Sequence, residues 1–133
     1  MNMKKFEEFI SIGIVKKQTP NKQRALSLIK EVEEKKQFFG VTLQRIPPEE
    51  MHSNFIVDSC YDILMELIRA KMFIDGYNAG NSHEAEVSYM VNLGFSESVI
   101  MDAKFFLNAA IWISRLILIE SVSSSIWPMV SIE

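Results

Sequence analysis

Apolar residues recur along this chain at intervals of three and four, over stretches bounded by glycine and proline. The breakers fall at Thr19-Pro20, Gly40, Pro47-Pro48, Gly76 to Gly80, Gly94 and Pro128. The stretches between them have the length and the 3.6-residue period of helices, and the breakers have the spacing of short loops. The pattern predicts an all-α fold without strands: an up-and-down bundle of four main helices plus one short helix. No repeat and no low-complexity linker interrupts it, so residues 1–133 read as a single domain, with an irregular tail from about residue 120.

The first helix is expected over Lys4 to Lys16, with Phe6, Phe9, Ile10 and Gly13 near one stripe. The second opens at Thr19 as N-cap, with Pro20 at the first helical position, where its missing N–H costs nothing. Its apolar stripe is Ala25, Leu28, Ile29, Val32 and Phe39. Lys30 with Glu34 and Glu31 with Lys35 form i,i+4 pairs on the wet face, which reads as solvated rather than as a partner surface.

The third helix runs from about Glu49 to Asp75. Ile56, Cys60, Ile63, Leu67, Ala70 and Ile74 repeat at four-three spacing, and Val57, Tyr61, Leu64, Ile68 and Met72 make a second stripe beside them. Only Asp58, Asp62, Glu66 and Arg69 make a polar edge. A helix apolar on so much of its girth is the central member of a bundle or is shared between two chains. After the turn DGYNAGN comes a short fourth helix, Ser82 to about Leu93, with Asn81 and Glu84 as a capping box. Gly94 suits the left-handed position that ends a helix, and Ser96 can cap a fifth helix from about Glu97 to Ile119.

Composition narrows the class of protein. The chain has 133 residues, 48% of them hydrophobic and 23% charged, which supports one core and argues against disorder. A net charge of −3 provides no global field to attract a polyanion. Cys60 is the sole cysteine, so an internal disulfide and a multi-cysteine metal site are excluded. Glu7 and Glu8 interrupt the N-terminal apolar run, which is no signal peptide, and the expected location is the cytoplasm.

Candidate chemistry is sparse. His83 stands at the start of the fourth helix beside Glu84 and Glu86, without the His-x-x-x-His or Glu-x-x-His pairing that a metal site needs. It reads as a structural residue, hydrogen-bonding across to the end of the third helix. Arg45 and His52 have the spacing of an Arg-x4–6-His ribonuclease motif, in which the arginine binds phosphate and the histidine moves a proton. Two prolines lie between them, in a loop that does not hold two side chains on one face. Asp58, Asp62 and Glu66 lie on one helix face, a row able to do acid–base work or hold Mg²⁺, but Arg69 neutralises part of it and a solvated or dimer-edge face is the simpler reading. Ser59, Ser88 and Cys60 lack the context of a nucleophile. Neither a metal nor a cofactor is expected.

One resemblance gives these segments a setting. HSNFIVDSCYDILMELIRAKMFIDGYNAG, then NSHEAEVSYMVNLGF, then KFFLNAAIW together resemble the HEPN superfamily of small helical bundles, over roughly two-thirds of the chain. In many members the last helix carries an arginine, then a polar residue, then a histidine a turn or more further on. Here Asn108 takes the polar position, Leu107 falls where the arginine would be, and Ala109, Ala110, Ile111 and Trp112 follow without a histidine. The resemblance implies a homodimer through the last helices. It also implies one of two roles: an RNA-cleaving protein, or a motif-less partner subunit of a small nucleotidyltransferase (the MNT protein) that can bind nucleotide or RNA at the dimer cleft. Loss of both catalytic residues places this chain with the non-catalytic group, in a toxin–antitoxin-like pair. Asn108, His83 and Glu84 are then the candidate cleft residues. The alternatives are a metal-independent ribonuclease using Arg45 and His52, and a structural helical protein without a ligand.

From Phe105 onward only Arg115, Glu120 and Glu133 are charged. FFLNAAIWISRLILI is interrupted by Asn108 and Arg115 and falls short of the roughly 20 apolar residues of a membrane span, so no membrane insertion is expected. Two readings remain: a fifth helix buried both by the bundle and by a second subunit, or a C-terminus from a shifted reading frame or degraded gene end. An intact relative with a charged last helix in another frame would support the second.

Overall fold

The computed structural model describes residues 3–50 and 53–100. Their architecture is an all-α bundle. In chain order it comprises α1 (Phe6–Ser11), a two-residue strand β1 (Lys16–Lys17), α2 (Lys22–Arg45), a 3-10 turn over Pro48–Glu50, α3 (Ser53–Asp75), β2 (Tyr77–Asn78), α4 (His83–Asn92) and α5, described over Glu97–Ile100. The expected fifth helix beyond Ile100, the irregular tail, Asn108 and His52 lie outside the described residues, as does the question of a shifted frame.

Several boundaries differ from the sequence reading, each for a local physical reason. α1 stops at Ser11 instead of continuing to Lys16, because Gly13 takes a φ of +82°. Its N–H donates to the Ile10 carbonyl at 3.1 Å and the Ile14 N–H to that of Phe9 at 3.0 Å, the paired bonds that end a helix in a Schellman motif. The same pair of bonds closes α4 at Gly94, as expected there. α2 does not start from a Thr19 cap. Its N-cap is Asn21, whose side chain accepts from the Arg24 N–H at 3.0 Å. Residues 18 to 21 are claimed by α3 instead: Gln18 N–H donates to the Gly76 carbonyl and Asn21 N–H to that of Phe73, each at 2.8 Å. α2 then runs straight through Gly40, which is no breaker.

Strands were not expected, yet β1 and β2 pair antiparallel, Lys16 opposite Asn78 and Lys17 opposite Tyr77. The pairing ties the end of the first segment to the turn after α3. The start of α3 is preceded by the 3-10 turn rather than reaching back to Glu49 in one helix. α4 is capped by the Ser82 hydroxyl, which accepts from the Ala85 N–H at 3.1 Å, and not by an Asn81–Glu84 box.

α2 and α3 form an antiparallel hairpin whose two halves differ. Its closed half holds the core: Ala25, Leu28, Ile29 and Val32 of α2 against α3 from Ile63 to Ile74. α3 is buried nearly all round there, as its double stripe predicts, and each large aliphatic side chain removed from water contributes about 1.5–3 kcal/mol. Phe6 of α1, Tyr77 of β2 and Tyr89 of α4 pack as an aromatic trio, with ring centroids 4.6 to 5.7 Å apart. The trio fastens the short elements over this same half. No described helix is long and apolar enough to cross a membrane.

Candidate functional site

Among the described residues the other half of the hairpin carries no buried side chain. Beyond Val32 no described side chain of α2 is buried, and none of α3 before Ile63. α1 has six residues and α4 ten, about 9 and 15 Å of helix, against about 36 Å for the 24 residues of α2. The described short elements do not reach the far half of the long ones. Phe38, Val41, Leu43, Ile46 and Phe55 are exposed there, Phe38 by 70%.

Between α2 and α3 in this region lies a groove of about 440 Å³. Phe38, Phe39, Phe55 and Ile63 supply its apolar surface, and the rings of Phe39 and Phe55 meet at 6.1 Å and 62°. Glu31, Glu34 and Asp62 stand on it, all exposed, with Lys35 and Ser59. Lys35 is not free to offset those acids, because its ammonium is paired with Glu66 of α3. The groove is therefore aromatic within and acidic at the rim. A rim of that sign repels phosphate and favours an apolar group that carries a cation.

The predicted site residues are dispersed. Arg45 is exposed on the last turn of α2, in this half of the hairpin. His83 and Glu84 open α4 beyond the opposite end, where α3 terminates. Both are exposed, and they share no cleft with Arg45. His83 does not reach across to α3. Its Nδ1 lies 3.2 Å from Oε1 of Glu86, one turn along its own helix.

Glu86 is the acid that α4 buries, with 1% of its surface exposed. Arg69 serves it and not the carboxylate row of α3: Nε lies 2.6 Å from Oε2 and Nη2 3.2 Å from Oε1. The bond to Glu86 raises the Arg69 pKa above its ordinary value. The row itself is divided, with Asp58 and Asp62 in solvent and Glu66 buried against Lys35. A second internal cluster joins α3 to α4. The Lys71 ammonium lies 3.1 Å from Oδ1 of Asp75, and the Tyr89 hydroxyl donates to Oδ2. Burial pushes the Cys60 thiol above the usual thiol range.

Neither cluster opens into the groove, and Ser59, the hydroxyl that does, has no histidine beside it among the described residues. Among the described residues no group of histidine, cysteine or acidic side chains is arranged to hold a metal ion. The sequence carried part of the signal for the groove: Phe38 falls about 100° round the helix from Phe39 and so lies off the apolar stripe, and Phe39, expected on that stripe, is only half-buried. Comparison with protein-family models, with curated proteins and with solved structures finds no match for this chain.

Proposed function

We propose that this protein is a non-catalytic association module, a helical subunit that works by docking another protein chain. The aromatic groove between α2 and α3 carries this reading. An apolar surface of this kind, rimmed by polar residues, marks an interaction site, whereas scattered single exposed residues do not. The acids at its rim disfavour RNA and nucleotides and favour a protein segment with basic residues flanking apolar ones. The chain's larger charged clusters are spent on holding α3 to α2 and α4.

Taken with the HEPN resemblance, the module is the partner subunit of a small cytoplasmic nucleotidyltransferase, in a toxin–antitoxin-like pair. The test is native purification of the tagged chain from its own source, with mass spectrometry of what accompanies it, alongside an RNA-cleavage assay. A small nucleotidyltransferase in the eluate and no cleavage is the expected result. RNA cleavage by the wild type that disappears in Arg45→Ala would overturn the reading in favour of a ribonuclease.

A further inference from the structure

The outward face of α2 carries a second stripe, separate from the one that packs on α3. Glu31, Glu34, Phe38, Val41 and Arg45 follow one another at intervals of three, four, three and four, and all five are exposed. That is heptad spacing, the pattern of a helix that packs along its length against another helix. Charge is distributed unevenly along it: two acids at one end, an arginine at the other, and two apolar side chains between. Arg45 has no ion-pair partner among the described residues.

Such a stripe is complementary to itself when one copy is reversed. In antiparallel helix pairing, Phe38 of one copy meets Val41 of the other, and the same register sets Arg45 of one against Glu34 of the other, twice over by symmetry. Parallel pairing would bring Glu34 against Glu34 and is disfavoured. The groove lies beside the stripe and shares Glu31, Glu34 and Phe38 with it. A reversed second copy therefore supplies the cation that the acidic rim lacks.

Building on the association reading, we propose that the first occupant of this surface is a second copy of the same chain. The two form a homodimer through antiparallel α2 helices, with the two-fold axis passing between Phe38 and Val41. This interface is distinct from one through the last helices.

The experiment is light scattering of the full-length protein across a concentration series, with matched circular dichroism. The wild type should show twice the chain mass. Phe38→Glu should give a monomer with unchanged helicity, because Phe38 is 70% exposed. Glu34→Arg and Arg45→Glu should each weaken the dimer by about tenfold, and the two together should restore it. A dimer indifferent to all of these variants overturns the proposal and puts the interface elsewhere. A wild-type monomer also overturns it. If that monomer binds a different protein in a manner abolished by Phe38→Glu, the association reading stands with another occupant. If Phe38→Glu instead lowers its melting temperature, the chain covers its own groove and both readings fall.

Discussion

The Arg69 guanidinium grips Glu86 from α3 to α4 through two nitrogens, Nε at 2.6 Å and Nη2 at 3.2 Å from the two carboxylate oxygens. The two ends of this pair are not equivalent. Glu86 is sealed from water, whereas the Arg69 side chain keeps 28% of its surface exposed. Arg69→Ala should cost about 3–5 kcal/mol, since it leaves a buried carboxylate with only the exposed His83 ring beside it. Glu86→Gln should cost less, about 1–3 kcal/mol, because the guanidinium can turn to solvent. The double variant Arg69→Met/Glu86→Leu should be more stable than Arg69→Ala alone. Urea unfolding of the three variants ranks them, and a loss below about 1 kcal/mol in Arg69→Ala would mean that Glu86 finds water when its partner is gone.

Gly76 links α3 to β2 with a φ of +86°, and a Cβ built there would sit 2.6 Å from the Gln18 carbonyl oxygen. That oxygen is backbone and cannot swing away. Gly76→Ala should therefore cost about 2 kcal/mol or more, combining left-handed strain with the clash. Gly80, at φ +60° with no atom within 4 Å of its built Cβ, suffers only the strain, so Gly80→Ala should cost about 1 kcal/mol. Thermal melts of the two variants separate close approach from conformation.

Gly40 presents the opposite case. It lies inside α2, away from the left-handed region, and a Cβ there meets nothing within 4 Å. Gly40→Ala should raise stability by about 0.5–1 kcal/mol, through helix propensity and a less disordered unfolded chain. An unchanged or lowered urea midpoint would mean that the second half of α2 does not depend on its own helicity.

Burial raises the Cys60 pKa, and with it that of Tyr61, where burial leads and the charges of Glu86 and Asp62 add. The folded state thus holds these protons more tightly than the unfolded chain does. The contribution is fully present below the unfolded thiol pKa, about 8.5, and declines as pH rises through the higher folded value. The urea midpoint should fall as pH rises past about 8.5, and fall less steeply in Cys60→Ser. Identical alkaline slopes in the two proteins would remove the thiol from the account.

Helical class, the central position of α3 and the core stripe Ala25–Leu28–Ile29–Val32 were legible without coordinates, because a buried helix face must repeat at the helical period. The glycine at the end of α4 was legible too, since few other residues accept its φ of +103°. Local signals failed where distant parts of the chain competed for the same backbone groups. Thr19-Pro20 has the form of a helix start, but the carbonyls of Phe73 and Gly76 capture residues 18 to 21 and move the cap to Asn21. The strand pair formed for the same reason: neither Lys16-Lys17 nor Tyr77-Asn78 has strand length by itself, and each exists because the other is beside it. By spacing Arg69 faces the acids of its own helix, yet Asp58 and Asp62 stand in water and Glu66 is engaged by Lys35, so the buried carboxylate of Glu86 on the neighbouring helix offers the larger electrostatic gain. The groove required tertiary structure most of all. Sequence alone dictated which faces of α2 and α3 are apolar, but among the described residues only the folded lengths of α1 and α4 determined that they cover one half of the hairpin and not the other, because coverage depends on how far a packed element reaches and not on the pattern it covers.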